Sequence, residues 1–145
     1  MNYSFNDSLG FQVNKTANAM RNRFNNFLKP YGLTAEQYVI LKAIDENPAI
    51  TPTQLANILE KDKTTVTRII ATMVKNDFIL RKKNETDRRS HSLIHSKKAV
   101  RIMAEIMPVT DVVIGKLRAQ IEPDELQCFL KVLAQLRCIE CFEDM

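Results

Sequence analysis

The sequence predicts a mainly α-helical protein whose centre is a helix-turn-helix followed by a β-hairpin, with further helices at both ends. Three observations carry that expectation. Apolar residues recur at spacings of three and four over most of the 145 residues, the period of helices with one buried face. Two helix starts, at Thr51 and Asp62, lie so close that a short helix and its successor must be joined by a tight turn. The period then breaks at "NDFILRKKNETDRRSHSLIH", where bulky apolar runs flank a polar stretch, the pattern of a hairpin with a projecting loop.

Each element follows from local signals. Phe5, Leu9, Val13, Ala17, Met20, Phe24, Phe27 and Leu28 form one apolar stripe on a long first helix. Pro30 and Gly32 end it. A second helix starts at Thr34, with Gln37 placed for a capping box, and carries Tyr38, Leu41 and Ile44 inward. Pro48 stops it, because a proline disfavours helix in the residue before it. Thr51, Pro52 and Gln54 repeat the capping device for a short third helix. Asp62 caps a fourth, with Val66, Ile69, Ile70 and Met73 inward. Phe78 to Leu80 and Leu93–Ile94 are expected as short strands. From Ser96 the helical period returns through Val100, Met103, Met107, Ile114, Leu117 and Ile121, with Pro108 expected to kink rather than end the helix. "EPDEL" opens a last helix with carboxylates in its first turn, favourable against the helix dipole. Leu126, Phe129, Leu130, Leu133, Leu136 and Ile139 give it an apolar face.

Composition is that of a globular chain long enough to bury a core. No run of apolar residues is long enough to span a membrane. The start, "MNYSFNDSLGFQ", lacks a basic region followed by an apolar one, so no signal peptide is expected. Three cysteines, all after residue 127, do not make a secreted disulfide framework. A cytoplasmic, nucleoid-associated protein is the expectation. No Gly-rich phosphate loop, G-x-S-x-G or H-E-x-x-H is present, so neither an enzyme nor a bound cofactor is expected. The net charge of +4 is uneven: residues 61–101 hold 12 Lys and Arg against 4 Asp and Glu, while residues 121–145 hold 2 against 6. A basic middle with an acidic end suggests one face that binds a polyanion.

Residues 51–95 explain that charge. In a helix-turn-helix the second helix enters the DNA major groove, and a hairpin behind it makes a wing. With Val66, Ile69, Ile70 and Met73 inward, Thr64, Arg68, Ala71 and Lys75 face outward, and Thr65 and Thr67 flank them. Small hydroxyls let a helix backbone approach a groove, and Arg can fork onto guanine. Thr51, Thr53, Gln54 and Lys63 complete the expected contacts of the helix pair. On the wing, Arg81, Lys82 and Lys83 would neutralise phosphates. Arg88 and Arg89 at the tip could reach a narrow minor groove, with Asp87 holding either a guanidinium or the turn itself. The competing reading of the same loop is a mobile charged surface.

The stretch from "LTAEQYVILKAIDENPAITPTQLANILEKDKTTVTRII" to "SKKAV" resembles the winged-helix core of the multiple antibiotic resistance regulator (MarR) family. The resemblance rests on "LTxxQ", "TPTQLA", "DKTTVTRII", the basic first wing strand and "DRRS". It covers residues 32–99. It implies a homodimeric transcription regulator, usually a repressor, that binds a pseudo-palindromic operator in double-stranded DNA. The expected division is residues 1–30 as an N-terminal dimerisation helix, 33–95 as the winged domain and 96–145 as C-terminal dimerisation helices, in one compact protomer. It also implies that Arg89 enters the minor groove with Asp87 in support. A small-molecule effector would bind where dimer helices meet the winged domain, near Asn14, Asn18, Arg21 and Tyr38. Three departures stand out. Glu60 replaces a glycine common in the helix-turn-helix turn, Asp77 replaces one common before the wing, and "NETDRR" lacks one carboxylate of the family's "DPxDRR".

Other readings stay open. Cys138 and Cys141 form C-x2-C with Cys128 upstream, a weak pattern for a metal site, a redox sensor or a thiol-redox enzyme. Small packed hydrophobes are the plainer reading, and no metal is expected. A peroxide-sensing cysteine near the N-terminus, known among the resembled family, is missing. Met20, Met73, Met103 and Met107 could line a pocket but at helical spacing read as core. A winged helix used for protein interaction is the remaining rival; steep salt dependence would separate DNA binding from it.

Overall fold

The computed structural model describes residues 4–87 and 89–138. Among the described residues, six α-helices and one hairpin follow each other in the expected order: α1 Leu9–Leu28, α2 Ala35–Glu46, α3 Pro52–Leu59, α4 Lys63–Lys75, β1 Ile79–Lys83, β2 His91–His95, α5 Lys97–Arg118 and α6 Pro123–Arg137. The mainly helical winged architecture is as the sequence predicts.

The starts are made by the expected caps. Thr34 and Gln37 form a reciprocal capping box: each backbone N–H donates to the other's side-chain oxygen, at 3.0 and 3.2 Å. Thr51 and Gln54 do the same at 2.9 and 3.2 Å. Such caps satisfy amides that the first turn leaves without partners. Asn25 adds a cap across elements, its Oδ1 accepting the Ala35 N–H at 2.7 Å and so fixing α1 to the start of α2.

The ends share one device. Gly32, Glu60 and Asp77 all adopt the left-handed conformation, with φ of 71°, 50° and 58°. At each, the next residue's N–H reaches back to a carbonyl five residues earlier: Leu33 to Leu28, Lys61 to Ala56 and Phe78 to Met73. This is the Schellman closure, usually built on glycine. Glu60 and Asp77 show that the two glycine-to-acid departures keep the turn's geometry. Ala49, at φ 61°, closes a fourth turn in which the Ile50 N–H donates to Asn47 at 3.1 Å; the sequence raised no expectation there.

Residues Met1–Met103 and Ala104–Met145 form two compact units. The core lies in the first. Leu28, Ile40, Leu41, Leu55, Val66, Ile70, Met73, Ile79 and Leu93 are fully buried. β1 and β2 pair antiparallel, Ile79 opposite His95 and Arg81 opposite Leu93. Two bonds tie the hairpin to the helices: the Leu93 N–H donates to the Ile50 carbonyl at 2.9 Å, and His95 Nε2 to the Leu41 carbonyl at 2.8 Å. A carbonyl only accepts, so His95 carries its hydrogen on Nε2. In the second unit Ile106 and Thr110 are buried, and α6 buries no residue.

Three expectations are corrected. The first helix does not begin at Phe5: a 3-10 turn, Phe5–Asp7, precedes it, because Ser8 takes the Phe11 N–H and starts α1 afresh. Phe78 is not in the strand; it is the apolar residue after left-handed Asp77, and β1 runs instead into the basic stretch as far as Lys83. Met20 is not core, being 51% exposed, whereas Met73 and Met103 are buried and Met107 is half-buried. α5 passes through Pro108 without ending. Ile139 and Cys141 lie outside the described residues.

Candidate nucleic-acid interface

α3 and α4 are joined by Glu60, Lys61 and Asp62 alone. The left-handed turn at Glu60 reverses the chain, Asp62 caps α4, and the two helices pack together. Lys61 is held by an ion pair with Glu36 in the first turn of α2. The Asp62 cap grips twice: Oδ1 accepts the Thr65 N–H at 2.8 Å and Oδ2 the Thr65 hydroxyl at 2.5 Å. The Thr65 hydroxyl, then its amide, holds the Asp62 carboxyl below its ordinary value of 3.8.

Beyond the cap, α4 has a buried and an exposed side, with Ile69, expected inward, and Val74 only half-buried between them. Val66, Ile70 and Met73 are buried. Lys63, Thr64, Thr67, Arg68, Ala71 and Lys75 are exposed. The first five of these line one shallow, open concavity. The helix thus presents a cationic, hydroxyl-bearing surface whose middle is only a methyl group high, a shape that a DNA groove can accept.

The candidate residues do not all stand alike. Thr51 and Gln54 are occupied with each other in the capping box, and Thr65 with Asp62. Thr53 is exposed on α3. β1 follows α4 and packs against it, carrying Arg81, Lys82 and Lys83, all exposed. At the tip Asp87 holds the turn: Oδ1 accepts the Arg89 N–H at 2.9 Å and its carbonyl the Ser90 N–H at 3.2 Å. Asn84 closes the loop onto Ser90 through backbone and side chain, at 3.1 Å each. Arg89 is exposed; Arg88 lies outside the described residues. The tip is therefore a hydrogen-bonded turn that presents Arg89.

The suggested effector residues fall in two places. Arg21 donates to the Asn18 side chain at 3.2 Å on α1, and Asn14 is exposed one turn earlier. Tyr38 is buried in α2 with its ring edge-on to Phe24 at 5.0 Å. Cys128 and Cys138 are exposed, and among the described residues no group of three or more His, Cys, Asp or Glu is placed to hold a metal ion. Nor is any described helix long and apolar enough to cross a membrane. Sequence reasoning overlooked Ser96 and Lys98, which grip the exit of α4 from 19 and 22 residues away and leave no local pattern.

Comparison with known proteins agrees with this geometry. The family model described as MarR family matches residues 33–91. The HTH-type transcriptional regulator SarZ of Staphylococcus aureus is 31% identical over 87 residues, 58% of this chain and 59% of that protein. This chain thus spans 59% of the length of the curated relative. Among solved structures, a MarR protein from Peptoclostridium difficile superposes with a TM-score of 0.79 at 25% identity, covering 94% of this chain and 90% of that one. The S. aureus MepR structure, solved as a DNA complex, superposes at 0.81 with 15% identity, covering 89% and 95%, and so speaks for the fold. Motif, matched region and fold thus agree that residues 33–91 are similar to the MarR family, over less than half of the chain.

Proposed function

We propose that this chain is a sequence-specific DNA-binding regulator of transcription that acts as a homodimer in the cytoplasm, on the nucleoid. The observation that carries the reading is the outer surface of α4, where Lys63, Thr64, Thr67, Arg68 and Ala71 line one open concavity beside a strand of exposed cations. Arg68 is suited to a guanine edge and the threonines to phosphates and thymine methyls. Lys63, Lys75, Arg81, Lys82 and Lys83 neutralise phosphates, with Thr53 at the neighbouring backbone. Thr51, Gln54, Thr65 and Asp87 build the helix starts and the wing tip that aim these groups. Arg89, with Arg88 beside it, reaches the minor groove.

Dimerisation explains apolar side chains that one chain leaves in water. Phe5 is 79% exposed, and Leu9, Val112, Val113, Ile114, Phe129 and Leu130 are also exposed. Apolar surface on this scale marks an association site. A two-fold dimer presents two recognition helices to half-sites about 34 Å apart, one turn of DNA. Bound near a promoter, it blocks polymerase and acts as a repressor. A small molecule received near Asn14, Asn18, Arg21 and Tyr38 shifts the dimer toward a spacing that releases DNA. MepR, a protein of the same fold, was solved as a complex with DNA, which supports DNA as the partner here.

The test is selection of binding sites from random duplex DNA by the purified protein at two salt concentrations. The expected product is a pseudo-palindrome with half-sites about 10 base pairs apart. Arg89→Ala should then weaken the selected site. No motif at either salt, with only salt-sensitive binding, would overturn sequence-specific recognition.

A further inference from the structure

The exit of α4 is held by hydrogen bonds from residues beyond the hairpin. Three successive carbonyls leave the helix at Asn76, Asp77 and Phe78, and each has a partner at the start of α5. Lys98 Nζ donates to the Asn76 carbonyl at 3.0 Å. The Ser96 hydroxyl donates to the Asp77 carbonyl at 2.6 Å, and the Ser96 N–H to the Phe78 carbonyl at 3.1 Å. The Ser96 oxygen also accepts the Ala99 N–H at 3.0 Å, so one buried side chain, 1% exposed, caps α5 and grips the exit of α4. Lys98 is half-buried, with its ammonium 4.2 Å from the Phe78 ring centroid. A cation at this place also meets the negative end of the α4 dipole.

We propose that Lys98 is a positioning residue for DNA recognition: with Ser96 beneath it, it fixes the axis of α4 to the first turn of α5 and does not itself contact DNA. A helix held by its buried face and its N-terminal cap can still rock at its free end. Clamping that end sets the angle at which Thr64, Thr67 and Arg68 meet the base pairs. Non-specific binding needs only the cations and tolerates a range of angles, whereas base readout does not. The inference rests on the reading of α4 as the recognition helix.

The experiment uses the full-length protein with Lys98→Met, Lys98→Arg and Arg68→Ala. Binding is measured to a duplex selected from random sequence and to a scrambled duplex of the same length and composition, across a salt series. Lys98→Met keeps the stem over Phe78 but loses the donor and the charge. It should bind the selected duplex about three- to tenfold more weakly, the size of effect a coupling residue has. Scrambled-duplex affinity and the salt slope should stay unchanged, with Lys98→Arg restoring the selected-site affinity. Equal loss on both duplexes, with the salt slope reduced by about one, would make Lys98 a phosphate contact and overturn the proposal. Unchanged affinity on both would overturn it too. If Arg68→Ala weakens the selected site while Lys98→Met does not, only the clamp is refuted. If Arg68→Ala leaves that site intact, the reading of α4 fails and the clamp with it.

Discussion

Replacing Glu60 by glycine should stabilise the protein, and the size of the gain can be worked from the turn itself. Glu60 sits at φ 50°, ψ 41° between α3 and α4. An L-residue there suffers a Cβ–carbonyl clash of about 1–2 kcal/mol that glycine escapes. Glycine also gives the unfolded chain more freedom, which takes back about 0.4–1 kcal/mol. The two closing bonds, Lys61 to Ala56 at 3.1 Å and Glu60 to Asn57 at 3.2 Å, involve only backbone and survive the change. The net gain is about 0.5–1 kcal/mol, or a rise in melting temperature of about 2–3 °C. Urea unfolding of Glu60→Gly and Glu60→Ala is the assay. Both lose the same charge, and only glycine relieves the clash, so the glycine variant should unfold at higher urea with an unchanged slope. Equal stability of the two variants would refute the claim that backbone strain is stored at this turn.

Gly32→Ala should cost about 1 kcal/mol in the same assay, purely from its left-handed φ, because an added Cβ would meet Phe78 Cζ at an ordinary 3.9 Å. Met73→Ala, at a fully buried position under α4, should cost about 2–5 kcal/mol in transfer and cavity terms; a loss below 1 kcal/mol would mean that the core around α4 collapses to fill the space. Asp62 has its folded-state titration depressed by Thr65, so its contribution is fully present above the ordinary value of 3.8 and is lost as pH falls through the lower folded value. The wild type should therefore be more stable than Asp62→Asn near neutral pH, and the difference should shrink on acidification below about pH 4, as followed by denaturant midpoints. Parallel acid curves would refute the special hold on Asp62.

Much of the fold could be read because its signals are local. A capping box needs only a Thr and a Gln three residues apart, and both Thr34–Gln37 and Thr51–Gln54 form as the spacing predicts. The left-handed turns at Glu60 and Asp77 could be located because each stands where glycine would be usual. Ala49 could not, since Pro48 already explained the stop and alanine carries no turn signal. Phe78 was drawn into the strand because apolar runs have no marker for the residue that follows a Schellman turn. The stripe on α1 raises a different point: its spacing is helical, yet among its members from Phe5 to Met20 all are exposed. Periodicity reports which face seeks cover and says nothing about what supplies it.

The interface was legible in its residue types and illegible in how they divide the work. Threonine, glutamine and aspartate serve equally to cap helices and to meet nucleic acid, so composition cannot sort them. Position can. Thr51 precedes a helix with a glutamine at its third residue, and Thr65 lies three residues after a capping aspartate; the Thr51 hydroxyl is claimed by the Gln54 backbone amide and the Thr65 hydroxyl by the Asp62 carboxylate before any ligand arrives. Thr64 and Thr67 make neither contact and line the open face of α4. The sequence therefore contained the division, once caps are assigned first and ligand contacts drawn only from what remains. Lys98 marks where that procedure stops. Its bond to Asn76 spans 22 residues, no motif announces it, and only the folded chain shows that the end of α4 is held from the helix that follows the hairpin.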